Sequence, residues 1–280
     1  MLESPMASAE PDSTSAACPI CHGTGWKVDL TAAAEGRAQQ CDCRRRQARE
    51  QRLESAGIPP RYASCLLENF EIQPPGAAPS PWLHQALGKA RAFTDDYILH
   101  GRRTGLIFTG PCGVGKTHLA VGIVQRLMQD YSIVCRFADH RELLKRIQAT
   151  YDARHPQSEA AVVEPFLEAE VLVLDDLGVG RATEWALETL HYLLNSRYSQ
   201  NRTTLITTNF EDEPSTGGAS MAPGDFNGSR PPTLTQAVGE RLRSRLYEMC
   251  EPVPIRSEDF RRGIAHNRRI MADENGRFRG

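Results

Sequence analysis

The sequence predicts an α/β chain: a parallel sheet flanked by helices, with a small cysteine-bearing module ahead of it. From about residue 83, short apolar runs alternate with segments of helical period. That is the order a parallel sheet requires, because parallel strands are joined by crossover connections. One of the runs, GLIF, enters a glycine-rich turn that opens an amphipathic stretch. Ahead of this region, four cysteines fall between Cys18 and Cys43, where there are too few apolar residues for a core.

The elements follow in chain order. Residues 1–16 are small and polar, as expected of a disordered N-terminus. Residues 17–52 form the expected metal-binding module, closing on the arginine-rich run CRRRQAREQR. Residues 53–82 are proline-rich and broken, as in a linker, and 83–263 make up the sheet-and-helix domain. Within it GLIFTG reads as a buried strand, and Leu119, Ala120, Ile123, Val124 and Leu127 give the next helix its apolar stripe. SIVCRFA is a second strand, with Cys135 in its core. Asp139 and Glu142 have the spacing of a capping box, opening a helix with Leu143, Leu144, Ile147 and Tyr151 turned inward. VLVLDDLG is a strand ending in two acids, and TLITTN is another. LTQAVGERLRSRLYEMC reads as one helix, with Leu234, Val238, Leu242 and Leu246 every fourth residue. Residues 211–232 hold too much Gly, Pro and Ser to pack and are expected to form a surface insertion; 264–280 are a C-terminal tail.

Composition narrows the function classes. A hydrophobic share of 40% with 24% charged residues is ordinary for a soluble domain. No apolar run approaches the roughly 18 to 20 residues of a membrane helix, and the acidic N-terminus lacks the pattern of a signal peptide. The expected compartment is the cytoplasm, with no membrane partner, so the eight cysteines are read as thiols or metal ligands. A formal charge of −2 does not suit a chain that binds nucleic acid over its whole surface. DNA contacts would come from local patches such as Arg141 and Lys145, four apart on a polar helix face.

GPCGVGKT, from Gly110 to Thr117, fits the Walker A pattern G-x-x-x-x-G-K-[ST] between a strand and a helix. The glycines let successive N–H groups curl toward phosphate oxygens, and the helix adds its positive dipole end. The expected ATP-binding residues are Gly110, Pro111, Cys112, Gly113, Val114, Gly115, Lys116, Thr117 and His118. Lys116 would reach the β and γ phosphates, while Thr117 and Asp175 would hold Mg2+. Asp176 is placed to polarise the attacking water, and Asn209 at the next strand tip to bond the γ-phosphate or that water. Two acids at a strand end can also be solvated punctuation. Arg241 and Arg245 share a helix face, which reads equally as a solvated basic surface or as an arginine finger for a neighbouring subunit. A small-molecule kinase is a rival reading; it would need a place for an acceptor.

Cys18-Pro-Ile-Cys21 with Cys41-Asp-Cys43 supplies four thiolates for a closed, structural Zn2+ site, with His22 as an alternative ligand. A segment this short would draw its folding energy from the metal.

CPICHGTGW, GIPPRY, GPCGVGKTHLA, LLKRIQATYD, VLVLDDLG, LITTNF and GERLRSRLYEMC, in that order, resemble bacterial DnaC-type helicase loaders, the group of AAA+ ATPases that includes DnaI and IstB. The resemblance runs from about Cys18 to Arg262. It implies an AAA+ core without a helical lid, ATP-dependent self-assembly, and Arg245 at the arginine-finger position. It also implies a single-stranded DNA grip after FADHRELLKRIQATYD and an N-terminal zinc module that docks on the replicative helicase. Asp175-Asp176 stands where many AAA+ proteins have Asp-Glu, though IstB-like relatives favour two aspartates. The implied function is ATP-dependent loading of the replicative helicase onto single-stranded DNA. An IstB-like transposition helper acting on duplex DNA and a transposase is the alternative.

Overall fold

The computed structural model describes residues 18–28, 38–73, 78–152, 154, 156–179, 183–212 and 233–260. The expected disordered N-terminus, the C-terminal tail and nearly all of the 211–232 insertion lie outside these residues. The chain divides into two compact units after Gln51, within helix α1 (Asp42–Ala56).

In the first unit, β1 (Trp26–Val28) pairs antiparallel with β2 (Ala38–Gln40), Trp26 opposite Gln40. The turn before β1 uses left-handed backbone at His22, Gly23 and Gly25. It brings Cys41 N–H onto the Gly25 carbonyl at 2.9 Å.

The second unit is built on a five-stranded sheet in the order β4-β5-β6-β3-β7, every pairing parallel. Its strands are β3 (Gly105–Thr109), β4 (Cys135–Asp139), β5 (Val171–Asp175), β6 (Thr203–Thr208) and β7 (Cys250–Pro254). Strand alternation splits the core in two. Leu106, Phe108, Val171, Val173 and Leu205 face α2 (Pro81–Leu99) and α3 (Lys116–Tyr131). Ile107, Leu172, Leu174 and Ile206 face α4 (His140–Ala149), α5 (Glu159–Glu168), α6 (Glu184–Ser199), α7 (Leu234–Val238) and α8 (Glu240–Met249). The strands all point one way, so the residues after Thr109, Asp175 and Thr208 emerge along a single edge. Among the described residues no helix is long and apolar enough to cross a membrane.

Arg197 holds the opposite end of this unit together. Fully buried, it donates to the carbonyls of Phe166 (2.6 Å) and Ala169 (2.8 Å), the Thr203 carbonyl and Thr204 Oγ1. One side chain thus satisfies the C-terminal carbonyls of α5 and the start of β6. Burial lowers its pKa to about 9, which leaves it protonated at neutral pH.

Three expectations are corrected. The helix expected from Leu234 onward is broken at Gly239, whose φ of +80° with ψ of 157° no helix accommodates. Its four apolar residues are nonetheless all buried. Tyr151 lies beyond the end of α4 and is 56% exposed, because that helix stops at Ala149 before the next inward position. Part of the proline-rich 53–82 stretch is packed structure: Ile58, Cys65, Leu67 and Phe70 are buried in the first core.

The two ends flanking 213–232 are tied down. Leu234 N–H donates to the Glu211 carbonyl at 3.1 Å, and Arg243 grips Asp212 through two nitrogens at 2.5 and 2.6 Å.

Candidate active site and metal centre

The phosphate loop leaves β3 at Thr109 and enters α3 at Lys116. Gly110 leaves no room for a side chain: a Cβ there would stand 2.1 Å from the Ile255 carbonyl oxygen. Gly115 turns the chain into the helix at φ +93°. Val114 is fully buried and anchors the loop, while Pro111 and Cys112 are exposed. Lys116 is buried, with Nζ donating to the carbonyls of Gly110 (2.8 Å) and Pro111 (2.7 Å) and to Asn209 Oδ1 (2.8 Å). These are neutral acceptors. Phosphate oxygens would replace them with charged acceptors, turning each contact into a hydrogen-bonded ion pair.

The acids arrive on the neighbouring strands. Asp175 is 1% exposed, and its Oδ1 accepts from Thr117 Oγ1 at 2.8 Å and from Thr207 Oγ1 at 2.6 Å. Burial raises its pKa to about 6, against the pull of the Thr207 and Thr117 hydroxyls. Asp176 takes left-handed backbone, φ +53°, and its N–H donates to Thr207 Oγ1 at 2.9 Å. Asp tolerates that conformation better than most residues. Thr207 therefore fixes both acids, a role that an apolar strand ending in TTN does not announce. The Thr117 hydroxyl and the Asp175 carboxylate, already in contact, are the hard oxygen donors that Mg2+ takes.

A cleft of about 430 Å³ opens beside Asp175, which lies beneath its surface. Its walls include Lys116, Thr117, Asp176 and Asn209, joined by Arg61, Tyr62 and Cys65 from the segment expected to be a linker. The signal for that wall, GIPPRY, reads as connector until it is seen against α3.

Arg245 does not line this cleft. Its Nη1 meets Glu248 Oε2 at 2.8 Å, and its guanidinium lies 4.2 Å from the centre of the Tyr198 ring. Arg241, on the same helix, is exposed. Arg141 and Lys145 are exposed on α4, opposite buried Leu143 and Ile147. Beyond α4, Tyr151 meets Trp185 edge-on, ring centres 6.1 Å apart, and accepts a hydrogen bond from Trp185 Nε1 at 3.0 Å.

In the first unit the sulfurs of Cys18, Cys21, Cys41 and Cys43 all lie within 4.8 Å of one another. Cys18–Cys41 is 3.8 Å and Cys21–Cys43 3.4 Å. Four sulfurs about 2.3 Å from a tetrahedral centre stand about 3.8 Å apart, so the cluster is compatible with Zn2+. Burial works against the Cys21 thiolate, but the Cys43 thiol and the N–H groups of Gly25 and Gly23 outweigh it and bring its pKa down to about 6. Cys43 is pushed the other way, to about 12, by its contacts with Cys21 and Cys41. Cys21 gives up its proton readily while Cys43 resists, and a bound cation would remove that resistance. His22 is exposed and outside the cluster.

Comparison with known proteins decides the family. The family described as IstB-like ATP binding protein matches residues 93–263, more than half of the chain. The chain belongs to this family. The match takes in the phosphate loop, both acids, Asn209 and Arg245, and begins after the cysteine module. Among curated relatives of this IstB-like chain, the uncharacterized protein YdaV of Escherichia coli (strain K12) is 29% identical over 191 residues, 67% of this chain and 72% of YdaV. The replicative helicase loader DnaC of the same strain is 25% identical over 193 residues, 68% of this chain and 66% of DnaC. A crystal structure of the DnaC helicase loader matches with a TM-score of 0.55 at 28% identity, covering 71% of this chain and all of that one (100%). A DnaI crystal structure, 19% identical with a TM-score of 0.53, shares the fold over 72% of this chain and 94% of that one. The IstB-like chain thus falls with the DnaC-type AAA+ loaders, and its five-stranded parallel sheet is an AAA+ P-loop core.

Proposed function

We propose that this chain is a cytoplasmic ATPase that loads a replicative ring helicase onto single-stranded DNA, with ATP binding and hydrolysis timing assembly and release. The observation that carries the ATPase reading is the meeting of Lys116, Thr117, Asp175, Asp176 and Asn209 at one sheet edge. Lys116 exchanges its loop carbonyls for the β and γ phosphates. Thr117 and Asp175 hold Mg2+, which neutralises developing phosphate charge. Asp176 orients the attacking water, and Asn209 ties the Lys116 ammonium to it. Arg245, away from its own cleft, serves the cleft of a neighbouring copy.

The helicase-loading reading rests on the likeness to DnaC and on exposed Tyr151, half-buried Trp185 and a basic helix face, groups suited to unpaired bases and their phosphates. Tyr151 and Trp185 offer aromatic faces, and Arg141 and Lys145 offer phosphate contacts. The four-cysteine unit is the part that docks on the helicase. The alternative, a transposition helper with duplex DNA and a transposase as clients, uses the same engine; stacking aromatics favour single strands over duplex.

The test is a reconstitution with the replicative helicase of the source cell and a closed circular single strand. Wild type, but not Lys116→Ala, should place the helicase on the circle when ATP is present. If ATP turns over but the helicase stays off the circle, while a transposase from the same cell is stimulated on duplex DNA, the transposition reading replaces it.

A further inference from the structure

One stripe of α3 starts at the nucleotide cleft, where Gly115 and His118 line the wall, and runs up the helix away from the phosphate loop. Positions 115, 118, 122, 125 and 129 recur at alternating steps of three and four, so they form a single stripe up the helix. Gly115 and Gly122 open it: a Cβ at the first would stand 2.6 Å from the Phe70 ring, and at the second 2.9 Å from Leu67 Cδ2. Gln125 is fully buried, and its Nε2 donates to the carbonyls of Cys65 (2.7 Å), Ala63 (3.2 Å) and Tyr62 (3.3 Å). Gln129 Nε2 donates to Gln125 Oε1 at 3.4 Å, which fixes the way that amide faces. His118 Nε2 lies 2.8 Å from the Leu66 carbonyl and 3.1 Å from Asn69 Oδ1, both acceptors, so this nitrogen carries the proton. The Phe70 ring packs edge-on against His118, centres 5.2 Å apart. Asn69 closes the segment on itself, accepting from Leu66 N–H and donating to the Ser64 carbonyl.

The stripe straps residues 62–70 to the helix that begins at the phosphate loop. The strapped segment carries Arg61, Tyr62 and Cys65 into the cleft wall. Lys116, Thr117, Asp176 and Asn209 account for phosphate, metal and water. The Arg61–Tyr62–Cys65 wall, with the Arg61 guanidinium 4.6 Å from the centre of the Tyr62 ring, offers flat, polarizable groups suited to a planar base.

We propose that His118 and Gln125 are positioning residues which hold the 61–65 segment as the base-side wall of the nucleotide cleft. One helix then sets both ends of the nucleotide: its N-terminus receives the phosphates, and its polar stripe holds the wall that meets the base. This rests on the cleft being the ATP site, and the experiment keeps the two apart.

The full-length chain is titrated with ATP and, separately, with inorganic tripolyphosphate, both with Mg2+. Tripolyphosphate has the phosphates and no base. Wild type should prefer ATP. Gln125→Leu, which keeps volume and removes the donor, must reorder the wall on binding. Its ATP affinity should fall roughly tenfold to a hundredfold, with tripolyphosphate affinity held within about twofold. His118→Ala should shrink the ATP-to-tripolyphosphate ratio, and His118→Gln, whose amide nitrogen reaches about as far as Nε2, should restore it. The His118 pair carries the comparison alone if Gln125→Leu fails to fold. Equal losses for both ligands would overturn the proposal and leave the stripe as support for the phosphate loop. A wild type that binds both equally would overturn it too, with the phosphate site intact. Failure of wild type to bind either would instead sink the ATPase reading.

Discussion

Replacing Asp175 by Asn should stabilise the nucleotide-free protein while abolishing its response to magnesium. The carboxylate is 1% exposed and accepts two threonine hydroxyls, and burial still raises its pKa from 3.8 to about 6. A raised carboxylate pKa means that the native state binds the proton more tightly than the unfolded chain does, so above pH 6 the ionised group costs stability. The interval corresponds to about 3 kcal/mol at neutral pH. The cost is relieved as pH falls through 6 toward 4, where wild type protonates the group itself. Asparagine keeps the shape and an oxygen for Thr117 and Thr207, without the charge. At roughly 2 to 4 °C per kcal/mol for a domain of this size, the variant should melt up to about 10 °C higher at pH 7. That gap should narrow steadily toward pH 4. Adding Mg2+ to the ATP-bound protein should raise the wild-type midpoint further, because the cation removes the same cost, and leave that of the ATP-bound variant nearly unmoved. Thermal unfolding of both proteins at several pH values, with and without Mg2+, is the assay. A variant that melts at or below wild type at pH 7, with no narrowing at lower pH, would refute the reasoning.

Purified protein should carry about one Zn2+ per chain, lost in Cys18→Ser/Cys21→Ser by metal analysis; unchanged zinc in that variant would remove the four-cysteine assignment. Arg197→Met strands the carbonyls of Phe166, Ala169 and Thr203, and chemical denaturation should show a loss of about 3 kcal/mol or more; a loss under about 1 kcal/mol would mean that water replaces the guanidinium. Arg245→Ala should bind ATP normally yet hydrolyse it poorly, by a factor of roughly 10³ if it acts as a finger. Mixed with Lys116→Ala in the presence of DNA, it should regain turnover that neither shows alone, and a co-assembled mixture that stays inactive rules out supply by a neighbour. Tyr151→Ala/Trp185→Ala should weaken single-strand binding by about 1 to 3 kcal/mol per stacked base without changing its salt dependence, whereas Arg141→Ala/Lys145→Ala should flatten the salt slope. Equal binding by all of these proteins in a fluorescence titration would place the strand elsewhere.

Local chemistry made much of the sheet edge legible in advance. Walker A spacing locates Lys116 and Thr117, and an apolar strand that ends in Asp175-Asp176 locates the acids, because few other residue types serve at those points. Four cysteines in a stretch with few apolar residues likewise announce a cluster. What stayed hidden depends on tertiary contacts that leave no periodic trace. Thr207 reads as one more β-branched residue in a strand until its hydroxyl is found between Asp175 and the Asp176 amide. The 59–70 stretch reads as connector because prolines interrupt it, yet Gln125 and His118 supply the acceptor-hungry donors that order it. Gly239 falls within an unbroken four-residue apolar period, so the pattern carries through a backbone break that only a positive φ exposes.

The bond between Glu211 and Leu234, with the Arg243 grip on Asp212, separates the length of what lies between from the stability of everything else. A loop whose stems are already closed loses only about 0.6 kcal/mol for each doubling of its length. Descendants can lengthen, trim or exchange that stretch with little thermodynamic resistance. It departs three residues after Asn209 and returns at the start of α7, which leads through Gly239 into the helix that carries Arg241 and Arg245. Whatever is grafted there is delivered beside the nucleotide edge, which makes these stems a natural port for a lineage-specific accessory, or for a fluorophore that reports on the ATP cycle.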